Sequence, residues 1–188
     1  MKVDREGIKS YRSAKNRSQS SALCDHARKL LKDALTEAQK KLKPSDKDRD
    51  LSQLLQRPDF LEAFNYTLAC LAAKELAESD PRVCEIYVYH PSGNADYEAG
   101  EALPVEKTAH LIVHLERPSP TLEVFIASFD EALTASLREL PSGVFEILTS
   151  WLDCKLISKQ EVQRDSGIAT LHTSVITRPL RIWPRDVW

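Results

Sequence analysis

Three features predict an α+β fold, with N-terminal helices followed by a small mixed β-sheet and a packed crossover helix. Two stretches with helical apolar spacing run between about residues 21 and 79, and β-rich patterning takes over at Val83. A strand over residues 108–116 then leads through Arg117-Pro-Ser-Pro120 into another amphipathic helix, the arrangement of a crossover. The expected order is α-α-β-β-α-β-β, and no internal repeat is visible.

Residues 1–20 are polar, rich in Ser, Lys and Arg, and lack a hydrophobic period, so they read as a disordered or loosely packed basic tail. A single α+β domain is expected over 21–188, with a helical part at 21–79 and a sheet-containing part at 82–188. The first helix carries Leu23, Ala27, Leu30, Leu31, Ala34, Leu35, Ala38 and Leu42 on one stripe, and Pro44 ends it. Leu51, Leu54 and Leu55 suit a short helical turn. The second long helix begins near Pro58, whose fixed φ suits a first turn, and Asp59 and Glu62 favour its positive end. Phe60, Leu61, Phe64, Leu68, Leu71, Ala72 and Leu76 form its broad apolar face, which closes near Asp80-Pro81.

The run from Val83 to Tyr89 has no Gly or Pro inside it and reads as a strand. Residues 90–106 hold Pro91, Gly93, Asn94, Gly100 and Pro104 and read as a long loop. In the next strand, side-chain alternation sends Ala109, Leu111, Val113 and Leu115 to one side. Thr108, His110, Ile112 and His114 go to the other. Ser119 is placed to cap the following helix, whose core positions are Leu122, Phe125, Ile126, Phe129, Leu133 and Leu137. A short helical segment is expected over 144–148, and strands over 152–158, 168–176 and 180–183.

Composition bounds the function from several sides. With 42% hydrophobic and 29% charged residues, the chain reads as an ordinary globular protein able to bury a substantial core. No apolar run reaches the length of a membrane span and the N-terminus has no signal-like apolar run, so a cytoplasmic protein without membrane contact is expected. Cys24, Cys70, Cys84 and Cys154 form no CxxC pair, which argues against zinc knuckles and redox dithiols and for inert thiols. The net charge of −2 conceals a split: residues 1–49 hold 14 Lys/Arg against 7 Asp/Glu, and the rest hold 12 against 21. A basic arm for nucleic acid is one reading; interleaved acids and the lack of stacking aromatics favour a solvated helix and tail.

Leu111-Ile-Val-His-Leu-Glu-Arg-Pro-Ser-Pro120, leading into an amphipathic helix, resembles the nucleotidyltransferase fold of the DNA polymerase β superfamily, in particular its minimal members. The likeness covers roughly residues 58–160. It implies a helix before the first strand, a Gly-Ser turn after it, an Asp-x-Asp pair opening the second strand, and a third carboxylate on a later strand. Two carboxylates spaced this way share one face and hold Mg²⁺ against nucleotide phosphates, and the metal stabilises charge on the transferring phosphoryl group. In this chain the pair falls at Thr108 and His110, the turn near Pro91-Ser92-Gly93, and the third acid at Asp153. Only Asp153 is a carboxylate, so the site reads as degenerate at its catalytic acids.

From this follow the candidate residues. His110, Asp153 and Thr108 are the catalytic candidates, and Ser92, Gly93 and His114 the ligand-binding candidates. No resident metal or cofactor is expected; Mg²⁺ with a nucleotide is what the resemblance implies, without the motif to hold it. His110 and His114 could be imagined as a metal pair with Asp153, but four residues of strand separate them by about 13 Å, too far for shared chelation. Ser92-Gly93 beside His90 lacks the GxSxG of a nucleophile elbow, and five glycines leave no P-loop or Gly-x-Gly-x-x-Gly. Asp96, Glu98 and Glu101 read as solvated loop acids, and His26 and His172 as structural.

Three functions follow in order: a noncatalytic nucleotidyltransferase-like domain binding a nucleotide or protein, an enzyme of nucleotidyl or phosphoryl transfer using other residues, and a nucleic-acid-associated protein using the basic first fifty residues. A protein partner or homo-oligomer fits the C-terminal Trp183 and Trp188, the first expected to dock inward and the second to face a partner.

Overall fold

In the computed structural model the described residues are 5–46, 48–89, 107–164 and 179–184, with side chains described from residue 21 on, residue 45 apart. Helices α1 (Arg5–Lys40), α2 (Leu51–Leu55) and α3 (Pro58–Ser79) precede strand β1 (Val83–Tyr89). Then follow β2 (Ala109–Leu115), helix α4 (Pro120–Arg138), β3 (Leu152–Ser158), the short α5 (Lys159–Arg164) and β4 (Leu180–Trp183). The class is α+β with a mixed sheet. The sheet order is β3-β2-β1-β4; β1 runs antiparallel to β2 and β4, while β2 and β3 are parallel. Parallel neighbours need a crossover, and α4 supplies it.

One face of the sheet carries the main core. Ala109, Leu111, Val113 and Leu115 of β2 join Ile86 of β1 and Leu152 of β3 beneath α3 and α4, on which α1 packs in turn. Phe60, Phe64, Leu68 and Leu76 of α3, Leu30 and Leu31 of α1, and Phe129, Leu133 and Leu137 of α4 close this layer, all nearly or fully buried. Burying a side chain of this size is worth about 1.5–3 kcal/mol, which is why these helices take their stability from the sheet rather than from propensity.

The helix ends follow local chemistry. Pro58 starts α3, and the Ser119 hydroxyl caps α4 by accepting the Leu122 amide at 3.1 Å. Ser119 also donates to the buried Asp80 carboxylate (2.5 Å), which accepts the Arg82 amide at 2.9 Å and its guanidinium at 2.6 Å. The end of α3, the start of β1 and the start of α4 are thus tied at one buried carboxylate. The Arg82 guanidinium, together with Ser119, holds that carboxyl well below the usual range against the opposing effect of burial.

Several details differ from the sequence expectations. Helix α1 is already formed at Arg5, well before Ser21; the packing expected for residues 1–20 concerns side chains outside the described ones. Residues 144–148 form turns and not a helix, with the Glu146 amide on the Gly143 carbonyl (3.3 Å) and the Leu148 amide on that of Phe145 (3.1 Å). The reason is tertiary: Phe145 packs on Phe64, Leu148 is buried with its carbonyl on the Arg138 guanidinium (2.9 Å), and Ile147 is left 84% exposed. Helix α5 was not anticipated, although Ser158-Lys-Gln-Glu161 is a capping box: Glu161 accepts the Ser158 amide at 2.8 Å. Cys84 is exposed, at the β1 irregularity opposite the end of β2. Trp183 packs against the core, whereas Trp188 and the strand expected over 168–176 lie outside the described residues.

Candidate functional site

The second face of the sheet carries the polar chemistry. Alternation turns His110, Ile112 and His114 of β2 away from the helices. In the parallel register His110 stands beside Asp153 of β3, and in the antiparallel register beside Tyr89 of β1. The His110 Nδ1 lies 3.0 Å from Asp153 Oδ2. An ionised carboxylate only accepts, so Nδ1 carries the proton in this pair. Lys155, two residues along β3 and hence on the same face, donates to Asp153 Oδ1 at 2.8 Å. The Tyr89 and His110 rings lie 5.6 Å apart between centroids.

Burial raises the Asp153 carboxyl, but the bonds and charges of Lys155 and His110 outweigh it and hold the group below its ordinary value. The same bond raises Lys155 above the usual ammonium range. Cys154, pointing the opposite way, has its thiol pushed well above normal by burial, so it is no nucleophile.

A second centre stands further along the same strands. Glu85 of β1 accepts the Tyr87 hydroxyl (2.9 Å), lies 3.5 Å from His114 Nδ1, and meets the Arg181 guanidinium of β4 at 3.4 Å. Burial, then Glu85, pushes the Tyr87 phenol up to about 12. Each centre therefore combines one carboxylate, one histidine of β2, one tyrosine of β1 and one base. Ile112 is fully buried between them and Ile157 is fully buried beside His114, with Val162 of α5 packed against this cluster.

His110 and Asp153 are brought together, while Thr108 stands just before β2 with its hydroxyl on the Ser150 carbonyl (3.3 Å). His114 belongs to the second centre, and Ser92 and Gly93 lie outside the described residues. Lys155, Glu85, Tyr87, Tyr89 and Arg181 were not singled out from sequence. The i, i+2 spacing of Asp153 and Lys155 on a strand was a usable signal; the others depend on pairing between strands.

Among the described residues no group of three His, Cys, Asp or Glu side chains is placed to hold a metal ion, and no helix is long and apolar enough to cross a membrane. A groove of about 340 Å³ opens elsewhere, between α1, α3 and β4, lined by Lys41, Tyr66, Leu71 and Trp183 among others. Nothing among protein-family models, curated proteins or solved structures matches the chain.

Proposed function

We propose that the chain is a noncatalytic nucleotidyltransferase-like domain that binds a nucleotide on the second face of its sheet. The observation that supports this reading is the adjacency of His110 and Asp153 across parallel strands joined by α4. The resemblance puts one catalytic acid at each of those two positions. The frame for a carboxylate cluster is kept, while the acid at His110 is gone and Asp153 is occupied by Lys155 and His110. A divalent ion approaching Asp153 meets the Lys155 ammonium, at a cost of about 4 kcal/mol per unit charge at about 4 Å near a protein surface. Two-metal phosphoryl transfer through these positions is therefore disfavoured.

Thermal unfolding with each of ATP, GTP, CTP and UTP tests the reading. A nucleotide at about 100 times its dissociation constant adds about 2.7 kcal/mol, enough to raise the midpoint by several degrees. No shift with any of the four would reject nucleotide binding. The double variant T108D/H110D is expected to acquire Mg²⁺ affinity that the parent lacks; a folded variant without it would undermine the alignment behind the resemblance.

A further inference from the structure

We draw no further inference here: the strongest candidate, the groove between α1, α3 and β4 that Leu71, Ile182 and Trp183 help to line, carries acid and base together in Glu37, Lys41 and Lys74, and nothing in the structure shows what covers it.

Discussion

The two faces of the sheet are built from alternate residues of the same strands, yet they do different work. On β2, Leu111 and Ile112 are neighbours and both are fully buried. Leu111 belongs to the large core under α3 and α4, whereas Ile112, between the two charged centres, belongs to a small cluster with Tyr89 and Ile157. A shift of one residue in register would exchange the faces, so the pattern that secures the fold also dictates where the histidines must stand. Stability is concentrated on one side and polar chemistry on the other.

The largest expected effect tests that division directly. Leu111→Ala should cost about 3–5 kcal/mol and lower the melting midpoint by on the order of 10 °C, because the helices packed over the sheet cannot collapse into the vacated space. Ile112→Ala should cost less, about 2–3 kcal/mol, as its cluster is small. Denaturant titration of both variants checks the order; equal losses would mean that the second face is as much a core as the first.

An intermediate effect is expected where the helical layer meets the sheet. Ser119→Ala removes the α4 cap and a bond to buried Asp80, and should cost about 1–2 kcal/mol. The link to Asp80 also has a pH signature. A carboxyl held below its unfolded value stabilises the fold in full above about pH 4, and the contribution fades as pH falls below that value toward the depressed folded one. Acid unfolding should therefore be steep below about pH 4 in the parent and shallower in Asp80→Asn, which is already destabilised at neutral pH.

The smallest effect is expected on the polar face itself. His110→Ala removes one part-buried hydrogen bond and should cost about 1 kcal/mol, a midpoint change of about 2–4 °C. A variant that loses several times that stability would make His110 a structural residue and remove it from the site.

Much of this architecture was legible residue by residue. The helical spacing of α3 and α4, the Ser119 cap and the strict alternation of β2 all follow from interactions within a few residues, and each stands where the pattern puts it. The pairing of His110 with Asp153 was open to suggestion only through the resemblance and through the metal-site reading that set Asp153 on a neighbouring strand. Asp130 shows the limit well: a polar residue within α4, it accepts the amides of Trp151 and Leu152 at 2.9 and 2.8 Å and so fixes where β3 begins. Nothing near Asp130 in the chain announces that role.

The sequence by itself therefore determined the long helices, the strands of residues 83–89, 109–115 and 152–158, and the core-facing side of β2, since period and capping are local properties. Only the tertiary structure decided the order β3-β2-β1-β4, the turn at residues 144–148, and the ring of partners around Asp153 and Glu85. Those depend on which strands exchange backbone hydrogen bonds and on how the helices bury their stripes together. Such choices are settled by contacts between residues distant in the chain, where no local period carries a signal.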